Sequence, residues 1–523
     1  MIPDSFRRSV RVAALLAVLI GCFASAAHAQ TGHAVTAPPL KQTPAEASSY
    51  LGYTSPDTAL TWLTELATLA GPVMRVGPFL TLPGGATGPP VVVPMATLGI
   101  GTTGGIEGAG GRVRVLVIGS QHGDERTGYE VALRLARDLA VGEFRPLLEK
   151  LEVTIVPVMN PVGMRAGTRS NESGFDPNRD HVSLVSTANR ALWELHAAIE
   201  PHVVLDLHEM GPTPYEAQVG LPTHPNVDPR LTELARFWLL PYVVRALAAA
   251  NVRFHEYVAE NPDPAYRTGK EEPEEIFFSY APITANNARN AFSLSGSLAL
   301  LLETASSHEI DDLSRRTDRL YLTAVSFLEV IAGMSDEVRA RTWQIQNDEE
   351  VTGPSLALQA ANAASPERPS LQWLRWNDRG AAVPYTVDQW RPSVEILSAL
   401  PLPAAWLILP GETELIAHLL RHGIRVGRLL EPVRLPVSAY GTPDSLEPVA
   451  DRTFPAGSWL VRSDQERQRL LFTLIEPGSA DGWYRSPLPE FPVFRFDGAI
   501  PSLPLVAGSA DDLEEEPLPA GGR

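Results

Sequence analysis

Two short stretches of the 523-residue chain bring together side chains able to bind a metal ion or move a proton. In Gly119-Ser-Gln-His122-Gly-Asp-Glu125 a histidine and a glutamate stand three residues apart just after an apolar run, so both can face one point as the chain turns. His202-Val-Val-Leu-Asp206-Leu-His208 then puts His208 at the end of an apolar strand, with Asp206 on the same face by period-two alternation. Singly, such a pair arises by chance and such a histidine is usually a packed one. Jointly, His122, Glu125 and His208 are the two-His, one-Glu set suited to a catalytic zinc, which takes three protein ligands and keeps a position for water. A further apolar strand, 297–302, delivers Glu303, and an acid at a strand's carboxyl end is placed to act as a general base.

Between these lies Asn160-Pro-Val-Gly163-Met-Arg165-Ala-Gly-Thr-Arg169-Ser-Asn171-Glu-Ser-Gly174-Phe-Asp176-Pro-Asn178-Arg179-Asp180. Its Gly, Pro and Asn content makes it a loop, and its arginines and amides are the donors that grip a carboxylate bidentately. Competing motifs fail on context. Gly99-Ile-Gly101-Thr-Thr-Gly104 leads into a strand rather than from a strand into a helix, so it reads as a mobile loop rather than a dinucleotide site. A P-loop and a G-x-S-x-G elbow are both absent from the sequence.

The elements that must position these groups alternate. Strands are expected at 112–118, 151–158, 202–207 and 297–302, and helices at 127–140, 186–200 and 311–333. The fold class is therefore α/β: a mixed, mostly parallel central sheet with helices on both faces, the candidate residues lying at strand ends. A smaller α/β accessory unit follows, with Trp373, Trp376 and Trp390 near its start, then 406–409, 412–421 and 423–426 as strand, helix and strand.

Arg7, Arg8 and Arg11, the apolar run 12–20 and Ala27-His28-Ala29 form a secretory signal. Leu19-Ile20-Gly21-Cys22 also resembles a lipobox, so a lipid anchor at Cys22, giving a membrane-anchored lipoprotein, stands as the alternative to a periplasmic or secreted protein. The expected organisation is signal 1–29, leader 30–50, catalytic domain 51–342, linker 343–366, accessory domain 367–510 and acidic tail 511–523. The only cysteine is Cys22, which excludes intrachain disulfides and thiolate metal sites. With 43 basic against 61 acidic residues the formal charge is −18, so nucleic acid is not an expected partner. The stretch 237–250, interrupted by Pro241 and Arg245, is too short for a transmembrane helix.

In order, H-x-x-E, N-P-x-G, R-x-N-x-x-G-x-D-x-N-R, a strand-end His and a strand-end Glu, the chain resembles the zinc carboxypeptidase family of the carboxypeptidase A type over residues 112–310. The resemblance implies one zinc per chain on His122, Glu125 and His208, with Glu303 as general base and proton shuttle. It implies that Arg169 polarises the scissile carbonyl, that Asn178 and Arg179 hold the terminal carboxylate of a peptide, and that Asp176 orients His122. Pro177 and Asp180 depart from the family's usual aliphatic and Asn without removing a catalytic group. Tyr280, 23 residues before Glu303, is the candidate substrate-capping tyrosine, with Arg289 a rival substrate contact. The expected function is a secreted zinc metallocarboxypeptidase. The alternatives are an amide hydrolase on the same scaffold, acting on murein peptides or N-acyl amino acids, and an inactive peptide- or glycan-binding protein.

Overall fold

The structure, a computed structural model, describes residues 41–82, 90–99, 111–211, 213–262, 276–306, 310–347, 355–366, 373–376, 382–385, 387, 389–442, 445–484 and 491–508. The signal with Cys22, the glycine run 100–110 and the acidic tail lie outside the described residues.

Among the described residues, ten strands form in the first part of the chain: β1 (Met74–Leu82), β2 (Val91–Leu98), β3 (Val113–Gly119), β4 (Leu151–Val156), β5 (Val203–Met210), β6 (Ala217–Gly220), β7 (Phe254–Glu256), β8 (Ala259–Pro262), β9 (Ile276–Ser279) and β10 (Leu298–Ala305). Eight of them make one sheet in the order β1-β2-β4-β3-β5-β10-β6-β7. Its centre, β4-β3-β5-β10, is parallel, and β2 and β6 join it antiparallel. The four central strands are the β-branched, apolar runs legible in the sequence. Continuous burial of β5 and β10 is what a parallel strand covered on both faces requires. The Gly- and Pro-rich region 71–111 supplies β1 and β2, where valines at 91–93 pair against 80–82.

The helix Thr127–Ala140 has the predicted bounds and is buried on nearly every side, Arg134 being its one residue outside the core. At its start, Gly128 lies so close to β5 that a Cβ there would be 2.7 Å from the Leu207 carbonyl oxygen. Glu209, on β5 just past His208, accepts a hydrogen bond from Thr127 N (2.6 Å) and pairs with the buried Arg316 Nε (3.2 Å) of the helix Leu313–Gly333. An acid at a helix N-terminus also favours the helix dipole. This clamp fixes the end of β5 against the turn that follows β3, the two places where the metal-ligating candidates sit.

Glu130 in the same helix is buried and takes both hydrogen bonds of Thr54, from N at 2.7 Å and from Oγ1 at 2.8 Å. Burial pushes its carboxyl up to about 7, against the lowering effect of those bonds. A carboxyl whose folded-state value is raised stabilises the fold most below its unfolded value, and that contribution is lost as pH rises through about 7. Glu130→Gln, which keeps one acceptor for Thr54 N and never ionises, is therefore expected to gain in melting temperature relative to wild type between pH 5 and pH 8. A difference independent of pH contradicts this.

Beyond Gly333, the described residues of the expected linker 343–366 include a helix end and a strand. The helix Ser335–Asn347 covers its first residues, held by buried Val338 and Thr342, and the strand Leu356–Ala363 pairs with Ser393–Leu400. Polar composition hid both, since each buries only a narrow stripe. The accessory part builds a seven-stranded sheet, antiparallel at every pairing, from Ala405–Ile408, Gly427–Leu429, Val433–Thr442, Ser445–Phe454, Trp459–Arg462, Val493–Phe496 and Leu505–Ala507. The stretch 423–426 is a turn leading into one of these strands. The helix Gln468–Ile475 is wholly buried, and apolar residues of both parts share one core. Asn226 imitates a strand neighbour across the junction, donating to Ala357 O (2.9 Å) and accepting from Ala357 N (2.7 Å). Among the described residues, no helix is long and apolar enough to cross a membrane.

Candidate metal centre and active site

The parallel strands β3, β4, β5 and β10 end on one edge, and each delivers part of a single site. After β3 the chain turns through Ser120, which is buried with φ 43°, a left-handed value that L residues adopt only under constraint. Its hydroxyl closes the turn on Glu125 O at 3.0 Å. At Gly123 a Cβ would lie 2.0 Å from the Gly163 carbonyl carbon, so only glycine lets this turn rest on the Asn-Pro-Val-Gly turn after β4.

The turn presents His122 and Glu125 to His208 at the end of β5. Potential ligand atoms of these three buried residues all lie within 4.8 Å of one another. Glu125 Oε1 is 2.7 Å from His122 Nδ1 and Oε2 is 2.7 Å from His208 Nδ1, while the two Nδ1 atoms are 3.2 Å apart. Two imidazoles and a carboxylate converging with no other side chain between them can hold a zinc ion, and the donor types fit it. The far nitrogen of each ring meets an acid: His122 Nε2 is 3.0 Å from Asp176 Oδ1 and His208 Nε2 is 2.9 Å from Asp206 Oδ2. Such partners fix ring orientation and raise ligand basicity. Burial alone would raise the Glu125 carboxyl, but His122 and His208 outweigh it and hold it well below the usual range. For His208, burial works against the proton, and the Asp206 and Glu125 charges raise it well above the ordinary histidine value.

The arginine-rich loop is tied down by its own polar residues. Asn160 accepts from Gly163 N (2.9 Å), capping the short helix Pro161–Ala166, and donates to Arg169 O (3.2 Å). Arg169 then donates from Nε to Asp176 Oδ2 (2.9 Å) and from Nη1 to Glu125 Oε1 (3.2 Å), which puts a guanidinium at the rim of the cluster. Asp180 is buried and accepts from Val185 N and Ser186 N, both at 2.8 Å, so it terminates the loop rather than facing the site. Asn178 is also buried: its Oδ1 accepts from Ala288 N (2.8 Å) and its Nδ2 lies 3.3 Å from His208 Nε2.

These groups open into a cleft of about 340 Å³, lined by His122, Glu125, Arg169, Asn178, Arg179, His208, Tyr257, Arg289 and Glu303 among others. Register pairs Glu303 on β10 directly with His208 on β5. Glu303 is buried, and its Oε2 has no hydrogen-bond partner. Burial, reinforced by the Glu125 and Asp206 charges and opposed by His208, pushes it up to about 8. Tyr280 is not among the residues lining this cleft. Its ring packs edge-on against Trp390 (5.1 Å between centroids), where 389–391 hydrogen-bonds to Phe278 of β9, in an apolar cluster that also holds Met210 and Val258 of the cleft wall. The tyrosine that lines the cleft is Tyr257, just after β7, whose hydroxyl burial and the nearby Glu303 charge push above its ordinary range. Spacing to Glu303 could not reveal it because the hairpin intervenes. A tyrosine directly after a short strand was the one available signal.

A mostly parallel sheet with a buried His-Glu-His cluster at its carboxyl edge defines a class, that of metal-dependent hydrolases built on an α/β sheet. Residues 93–215 match the family model described as zinc carboxypeptidase. "Carboxypeptidase 2" of Trichophyton tonsurans is 25% identical over 432 residues, covering 74% of this chain and 77% of the relative. "Carboxypeptidase 2" of Trichophyton rubrum is 25% identical over 430 residues, covering 73% and 76%. A solved metallo-carboxypeptidase from Burkholderia cenocepacia superposes with a TM-score of 0.40 at 21% identity, over 56% of this chain and 71% of that one. The resemblance carried by the motifs is borne out by the family model and the curated relatives, which support a zinc metallocarboxypeptidase.

Proposed function

We propose that this enzyme hydrolyses the last peptide bond of substrates with a free terminal carboxylate, with one zinc held by His122, Glu125 and His208. The observation that carries the reading is Glu303, a buried acid paired in register with His208, whose Oε2 lacks a partner and which lines the same cleft as three arginines. When bound, zinc supplies a Lewis acid that lowers the pKa of water and polarises a carbonyl. Arg179, with the Asn178 amide, holds the terminal carboxylate and so sets which bond is reached. Arg169 offers its guanidinium to the carbonyl oxygen as negative charge develops there. Glu303 accepts a proton from the attacking water at a carboxylate oxygen and passes it to the leaving amine. Tyr257, which lines the cleft, takes the role of covering the bound residue in this reading, in place of Tyr280. The arginine-led apolar segment at the start of the chain supports a place of action outside the cytoplasm.

The test is a pair of N-acyl dipeptides that differ only in a free or amidated C-terminus. The free acid is expected to be cleaved with a kcat/KM about a hundredfold above the amide, the effect of one lost charge-assisted contact. Activity should vanish with a chelator and return with zinc. Equal cleavage of acid and amide, or release of the acyl acid with the dipeptide bond intact, would replace the exopeptidase by the amide hydrolase on the same scaffold.

A further inference from the structure

Arg289 lies in the first turn of the helix Ala288–Leu294 and is only 3% exposed, yet it lines the cleft. Its Nη2 donates to Thr223 Oγ1 (3.2 Å) and to Pro282 O (3.0 Å), both neutral, and its Nε has no hydrogen-bond partner. No ion pair of Arg289 is present among the described residues, whereas the equally buried Arg316 and Arg495 are paired with Glu209 and Glu476. Burying an unpaired guanidinium is costly, so its retention calls for an anion that arrives from outside.

Its place in the cleft says which part of a substrate that anion belongs to. On β10, Leu301 stands two residues before Glu303, hence on the same face and roughly 6–7 Å further in. Leu301 pairs with Gly220 on β6, and a Cβ on Gly220 would come within 2.9 Å of Arg289 Nη1. The guanidinium therefore sits one side-chain length deeper than the catalytic acid, in space that a glycine keeps open. Of the other two cleft arginines, Arg169 is paired with Glu125 and Asp176, and Arg179 is the one assigned to the terminal carboxylate.

Resting on that reading, we infer that the cleft selects peptides ending in an acidic residue, whose side-chain carboxylate is taken by Arg289 while Arg179 holds the α-carboxylate. Burial lowers the Arg289 guanidinium only to about 10, so it keeps its charge at neutral pH. A terminal lysine would bring a like charge to it, and a terminal leucine would leave it desolvated and unpaired. Glutamine, the same shape without the charge, is the discriminating comparison.

The experiment measures kcat/KM of the zinc-loaded full chain on N-benzoyl-Gly-X with X as Glu, Gln, Leu or Lys. Glu is expected to exceed Gln about a hundredfold. Arg289→Gln should bring that ratio near one by slowing the Glu substrate alone. Gly220→Ala, whose new methyl displaces the guanidinium without removing it, should lower the same ratio and covers the case in which Arg289→Gln does not fold. Leu or Lys termini cleaved as fast as Glu by the wild-type enzyme would overturn the selection and leave the exopeptidase standing. Cleavage of none of the four would overturn both.

Discussion

Glu303→Gln is expected to lower kcat by about a thousandfold or more while zinc content stays at wild-type level. General acid–base groups contribute roughly 10²- to 10⁴-fold, and this one would serve both the attack and the departure of the amine. The substitution isolates that role. Glutamine has the size of glutamate, so the β10 ladder and its pairing with His208 need not shift. Glu303 is not part of the converging His122, Glu125, His208 cluster, so metal binding has no reason to fail. Glutamine matches the neutral form that burial favours for this carboxyl, so the variant should be no less stable than wild type. Turnover of a blocked dipeptide, with metal analysis of the same preparation, reads both halves. Rates within tenfold of wild type would remove Glu303 as the base, and loss of zinc would make it a ligand instead.

The parts of the fold visible in the sequence are those with strong burial on both faces. β3, β4, β5 and β10 are continuous apolar runs, and the helix Thr127–Ala140 sits between sheet and outer helices, so its pattern was dense enough to give its bounds. What stayed hidden was decided by partners distant in sequence. β1 and β2 form an edge of the sheet amid glycines and prolines, and the strand Leu356–Ala363 buries only its first three residues. Neither pattern separates such strands from loop, since their stability comes from the neighbour that completes the ladder.

Ligand candidates were legible for a related reason. His122 and Glu125 follow a buried parallel strand and His208 and Glu303 lie near the ends of two others, and strand ends on one edge of such a sheet must converge. The capping tyrosine has no such anchor. Tyr257 and Tyr280 flank the hairpin β8–β9, which bridges to Trp390 more than a hundred residues on, so counting back from Glu303 pointed to a phenol that packs on Trp390 rather than lining the cleft. Asp206 shows the opposite case: alternation alone placed it on the face of His208, and it lies 2.9 Å from that ring.

His208→Ala is the second large effect, and it should be felt in both metal affinity and stability. Loss of one of three protein ligands is expected to reduce zinc occupancy to a small fraction under conditions that saturate wild type. The same change strips two buried carboxylates of a partner, Asp206 at 2.9 Å and Glu125 at 2.7 Å from the ring. Breaking a buried charged pair from one side costs about 3–5 kcal/mol, because the remaining charge stays desolvated. Gln121 Nε2, 2.7 Å from Asp206 Oδ2, and His122 offset only part of that. The two effects separate in a melting experiment with and without added zinc. A metal that binds only the folded state raises the wild-type melting temperature by mass action, and that increment should be absent in the variant. The metal-free variant should in addition melt below the metal-free wild type. A variant that keeps full zinc occupancy and the same zinc-dependent increment would mean that the ion rests on another set of donors. Loss of the increment with an unchanged metal-free melting temperature would keep the ligand and deny that the Asp206–His208–Glu125 chain contributes to the fold.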